Sequence, residues 1–137
     1  MNFKTRLSML IIGGLLFTRL QSCNKYEEGP AISLISKTER LANIWKVENY
    51  KVGGTDFTSL VSGYTEVFSK SGAYSYNWGV ISGEGTWEFQ NGDMEVKLTG
   101  NDNQSSRVLH ILRLENKTLW YYYMDGEERH EYHLSEK

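Results

Sequence analysis

From Ile44 to Leu134 apolar and polar residues alternate, with short interruptions rich in glycine, asparagine and aspartate. Glu84 to Gln90 (EGTWEFQ) sets Trp87 and Phe89 on one face and Glu84, Thr86, Glu88 and Gln90 on the other. A period of two means a strand with one dry face. Asn91-Gly92 follows, a pair suited to a tight hairpin because both turn positions need positive φ. Met94, Val96 and Leu98 then alternate with Glu95, Lys97 and Thr99, so the two runs form a hairpin.

The same pattern recurs on both sides. Ile44 to Val52 ends at Gly53-Gly54, and Tyr64 to Ser69 precedes Ser71-Gly72. Ala73 to Trp78 aligns Tyr74, Tyr76 and Trp78 on one face. After the polar loop Gly100 to Gln104 come Ser105 to Leu114, then Thr118 to Met124, which meets the turn Asp125-Gly126. Glu128 to Leu134 closes the series with His130, Tyr132 and Leu134 opposite Arg129, Glu131 and His133. Eight short strands with no room for crossover helices predict an antiparallel meander, and closure would remove its exposed edges. The expected fold is therefore all-β: an eight-stranded antiparallel up-and-down barrel. A two-sheet sandwich is the alternative, with the less regular Thr55 to Ser62 as its long connection. Ahead of the strands, Ala31 to Asn43 carries Leu34, Ile35 and Leu41. Ser36 stands as an N-cap with Glu39 three residues later, which predicts one short helix.

The N-terminus has a different texture. Lys4 and Arg6 precede Leu7 to Phe17, which is almost wholly apolar. As a helix this run would cover roughly 16 Å of a hydrocarbon core about 30 Å thick, too short to span and right for the apolar part of a secretory signal. Leu20-Gln21-Ser22-Cys23 then resembles the lipobox of bacterial lipoproteins. That resemblance implies cleavage before Cys23, diacylglycerol on its thiol and anchoring in the bacterial outer membrane, facing the periplasm or the cell surface. Two or more acyl chains anchor stably where one does so only marginally. Cys23 is the single cysteine, so it has no disulfide partner within the chain. The expected organisation is a signal peptide over 1–22, lipidated Cys23 and a flexible tether over 23–32, and a barrel domain over 33–137.

Residues 1–22 hold Lys4, Arg6 and Arg19, so the remaining 115 residues carry 12 basic against 17 acidic side chains, a net of −5. No cationic face appears, which argues against a nucleic-acid partner. Lys25, Glu27 and Glu28 are similar to signals that send some lipoproteins to the outer surface; a solvated tether explains them equally well.

No nucleophile elbow, H-E-x-x-H or P-loop occurs. His130 and His133 lie three apart on a predicted strand and so face opposite ways, with no third ligand beside them. Asn101-Asp102-Asn103 reads as a turn rather than a calcium loop. The sequence therefore predicts neither an enzyme nor a metal or cofactor site.

The short helix, Trp45 opening the first strand, Phe68-Ser-Lys-Ser-Gly72-Ala-Tyr74 and Gly85-Thr86-Trp87 together resemble the small lipocalin-like lipoproteins of Gram-negative bacteria. Asn43 stands where the G-x-W signature of true lipocalins has glycine. The resemblance implies a barrel that binds a small apolar or aromatic molecule. The candidate lining is Trp45, Phe68, Tyr74, Tyr76, Trp87, Phe89, Tyr121 and Tyr123, all on apolar or inward faces. The competing reading is a barrel filled by those rings that docks an envelope protein. Its surface would be the rim or an outward stripe of Trp120, Tyr122 and Met124, unless the helix covers that stripe.

Overall fold

A computed structural model describes residues 26–27, 34–100 and 106–137. The expected signal, Cys23, most of the tether and the Asn101–Asn103 loop lie outside the described residues. Nine strands form one antiparallel sheet: β1 (Ile44–Val52), β2 (Thr55–Asp56), β3 (Thr65–Phe68), β4 (Ala73–Trp78), β5 (Ile81–Gln90), β6 (Glu95–Gly100), β7 (Arg107–Glu115), β8 (Thr118–Asp125) and β9 (Glu128–Glu136). Neighbours in sequence pair from β3 to β9, and β1 pairs with both β3 and β9, so eight strands close into a barrel. The sandwich alternative is thereby excluded. The irregular Thr55–Ser62 stretch is two-residue β2, hairpinned onto the end of β1, and a 3-10 turn at Thr58–Val61.

Two β-bulges keep the dry face dry. In β1, Trp45 and Val47 point inward, Glu48 is the extra residue, and Tyr50 then pairs with inward Tyr132. In β7 the register shifts between Ile111 and Arg113, which brings Leu114 inward opposite Leu119. A bulge adds one residue to one strand and so resets which parity faces the core.

One end of the barrel is shut. The turn joining β5 to β6 runs over residues 91–94, longer than a two-residue hairpin turn, with Asn91, Gly92 and Asp93 all left-handed (φ 52, 62 and 63°). Helix α1 (Lys37–Leu41) begins in a capping box: Ser36 Oγ accepts from the Glu39 amide at 3.2 Å and the Glu39 carboxylate accepts from the Ser36 amide. The helix lies across this end. Leu41 is fully buried, Arg40 donates through Nη1 to the Leu114 carbonyl at 2.6 Å, and Trp45 Nε1 donates to the Leu41 carbonyl at 3.0 Å. Tyr26 is buried at the same end, its hydroxyl donating to the Asp93 carbonyl at 2.9 Å. Above α1, Trp45, Phe68, Trp87, Leu98, Leu109, Leu114, Leu119 and Leu134 pack into one continuous core.

The helix therefore does not cover the outward stripe on β8. Neighbouring strands do. The Trp120 ring stacks on His133 at 4.0 Å with Arg113 4.9 Å from its centre, and Tyr122 stacks on His110 with Arg129 3.8 Å from its centre. Both rings are half-buried; Met124 stays exposed.

Gly85 pairs with Gly100 across β5 and β6 and with Tyr74 across β4 and β5. A Cβ built there would lie 2.2 Å from the Thr99 carbonyl oxygen, a backbone atom that cannot swing aside. Gly85→Ala is expected to cost about 1–3 kcal/mol through this overpacking. Urea unfolding reads the loss; an unchanged midpoint would show that β5 and β6 are not so close in solution.

Candidate functional site

The open end of the barrel is made of inward-facing tyrosines. Strand periodicity puts Tyr64, Glu66 and Phe68 on the inner side around β3, Tyr74, Tyr76 and Trp78 on β4, Tyr121 and Tyr123 on β8, and His130 and Tyr132 on β9. Tyr64, Tyr74, Tyr76, Trp78, Ile81, Leu98, Gly100, Arg107, Tyr123 and Tyr132 surround a cavity of about 390 Å³. That lies within the range of small-molecule sites. Trp78 and Ile81 are exposed at its rim, whereas Tyr74 and Tyr132 are buried within.

Beneath the cavity sits a buried carboxylate. Glu66 Oε1 accepts three hydroxyls: Tyr64 at 2.7 Å, Tyr121 at 2.8 Å and Tyr74 at 3.0 Å. Oε2 has no hydrogen-bond partner among the described residues. Burial raises the carboxyl above its ordinary value, while the three tyrosine hydroxyls and, more weakly, Arg107 oppose that rise. Burial, and the Glu66 charge after it, likewise raises the Tyr64, Tyr74 and Tyr121 phenols, which stay protonated donors. One carboxylate oxygen thus ties together strands β4 and β8 and the residue just before β3.

The upper wall continues this aromatic packing. Tyr132 lies 5.3 Å from Tyr121 and 4.4 Å from Tyr50, measured between ring centres. The Tyr50 hydroxyl meets His130 Nδ1 at 2.8 Å, and the His130 ring stacks on Tyr123. On the other face of this group, the Arg107 guanidinium sits 3.9 Å from the Tyr123 ring centre. Such a stack leaves the in-plane N–H donors free for another group.

Of the eight residues expected to line a ligand site, Tyr74, Tyr76 and Tyr123 border this cavity. Trp45, Phe68, Trp87, Phe89 and Tyr121 do not; they fill the barrel below it. Trp87, for example, donates from Nε1 to the Ser69 carbonyl at 2.9 Å and meets Phe68 and Phe89 edge-on. Tyr64, Arg107 and Tyr132 border the cavity and Glu66 lies beneath it, although none of the four is among those eight. The available signal was parity: Glu66 alternates with Tyr64 and Phe68, and a carboxylate in phase with two rings faces the core.

A scan of protein-family models and a search of curated proteins return no match for the chain. Among the described residues no helix is long and apolar enough to cross a membrane.

The raised Glu66 carboxyl sets a pH dependence with a definite sign. The folded state holds this proton to higher pH than the unfolded chain, which releases it near pH 4.3, so stability falls as pH rises above that value. Unfolding free energies of the wild type relative to Glu66→Gln should decline with pH, by up to about 1.4 kcal/mol per unit until the folded-state value is passed. A difference that is flat, or that grows with pH, would mean the carboxylate is ionised and compensated in the fold.

Proposed function

We propose that the protein is a lipid-anchored, lipocalin-like lipoprotein of the bacterial outer membrane. It faces the periplasm or the cell surface and holds a small apolar or aromatic molecule in its barrel. Binding, not catalysis, is its task. The observation that carries this reading is the aromatic cavity at the open end, built over a packed lower half. Eight-stranded barrels are just wide enough to be filled by side chains or to hold one small ligand. This barrel divides the two options between its halves.

The anchor reading rests on Leu20-Gln21-Ser22-Cys23, and Tyr26 adds a geometric consequence. Tyr26 is fixed at the shut end by its bond to Asp93 and stands three residues after Cys23. Three residues reach at most about 11 Å. An acylated Cys23 therefore holds the shut end toward the bilayer and turns the cavity mouth away from it. Leu34 and Ile35 before α1 and Ile44 at the start of β1 are exposed apolar residues that this orientation would bring near the lipid surface.

A second reading, an envelope protein-interaction module, is favoured by the open rim. Phe57, Leu60, Trp78, Val80 and Ile81 are all exposed there. Grouped exposed apolar residues mark contact surfaces.

Native mass spectrometry of the protein extracted from its own host separates these readings. The expected species begins at Cys23, carries covalent acyl mass and holds a further mass that leaves on denaturation. An unacylated or uncleaved chain would contradict the anchor. A bare polypeptide mass across preparations would contradict the ligand and favour the interaction module.

A further inference from the structure

We propose that the cavity selects a flat amphipathic molecule with an anionic group at the rim and a hydrogen-bond donor at its buried end. This deepens, and rests on, the reading of the cavity as a ligand site. Aromatic hydroxy acids have the required chemistry.

The rim preference comes from Arg107. Among the described residues that line the cavity it is the one cation, and none of them is a carboxylate. No hydrogen bond or ion pair among the described residues holds its guanidinium; it lies on the face of Tyr123 and acts on Glu66 only weakly, through space. A guanidinium held flat on a ring keeps an edge of N–H donors in the geometry that a carboxylate accepts. Arg107 is also among the more exposed lining residues, so an anion bound there keeps part of its hydration.

The preference at the buried end comes from Glu66. Tyr64 and Tyr74 both line the cavity, and both spend their hydroxyl hydrogen on Glu66 Oε1. A phenol has one O–H donor, so the two oxygens can offer only lone pairs to a ligand. A hydroxyl or N–H on the ligand would be accepted there. A carbonyl or carboxylate would face lone pairs, with a buried acidic group behind them. The two ends therefore discriminate in opposite senses and fix the direction of entry. Between them the rings of Tyr76 and Tyr132 provide flat apolar walls, with Trp78 and Ile81 at the rim.

Calorimetric titration of the purified protein at pH 7 with 6-hydroxy-2-naphthoate, 2-naphthoate, 2-naphthol and naphthalene tests both ends with one ring system. The hydroxynaphthoate should bind about tenfold or more tightly than 2-naphthol, which lacks the anion, and several-fold more tightly than 2-naphthoate, which lacks the donor. In Arg107→Gln the advantage over 2-naphthol should vanish while the advantage over 2-naphthoate remains. Equal affinity for all four in the wild type would overturn this selectivity and leave an unselective apolar cup, so that the ligand reading stands. No binding by any of them would overturn the selectivity and count against the ligand reading as well.

Discussion

A carboxylate inside a β-barrel is costly to bury, and the open half of this protein is organised around that constraint. Glu66 is almost fully inaccessible, yet three phenolic hydroxyls converge on one of its oxygens. Each phenol is itself a ring on the barrel wall. The bonds that offset part of the cost of burying Glu66 therefore also decide where the rings stand, drawing Tyr64, Tyr74 and Tyr121 toward one point at mid-height. Rings held by their tips cannot collapse freely into the space above. That restraint accounts for a cavity in a barrel of a size that side chains are able to fill.

The lower half obeys a different rule. There the inward residues are leucines, Trp45, Phe68 and Trp87, and three polar groups among them find backbone partners: Trp45 Nε1 on Leu41, Trp87 Nε1 on Ser69 and Arg40 Nη1 on Leu114, while Arg40 Nε has none among the described residues. Helix α1 and Tyr26 shut this end, where the chain enters the barrel. The outer surface is settled locally, by His110, His133, Arg113 and Arg129 lying on Tyr122 and Trp120. With Trp120 and Tyr122 covered, the exposed large apolar residues among the described ones, Met124 apart, lie at the rim and beside the entering chain. These are the two places where the proposed function puts a ligand or partner and a membrane.

Much of the architecture was legible in the alternation of residues. Strand runs, the Asp125-Gly126 turn and the Ser36/Glu39 capping box follow from local chemistry, and a meander of that many strands has closure as its natural end. What alternation gives is a face, not a height along the barrel axis. Tyr74 and Phe68 share the inner face, yet one borders the cavity and the other is packed beneath it. Height depends on strand stagger and on the bulges at Glu48 and beside Arg113, which carry no sequence mark. Glu66 was hidden for a related reason. A carboxylate in a strand reads as solvent-facing until its three partners, which come from around and across the barrel, are known to meet it.

The crystal structure of a Glu66→Leu variant tests the central claim most directly. An apolar residue of similar bulk removes the shared acceptor and its charge together and obliges the three phenols to find new partners. The account predicts a folded barrel in which Tyr64 and Tyr74 have left their positions and turned into the cavity, closing much of its volume. The same three rings in place around an unchanged cavity would contradict it.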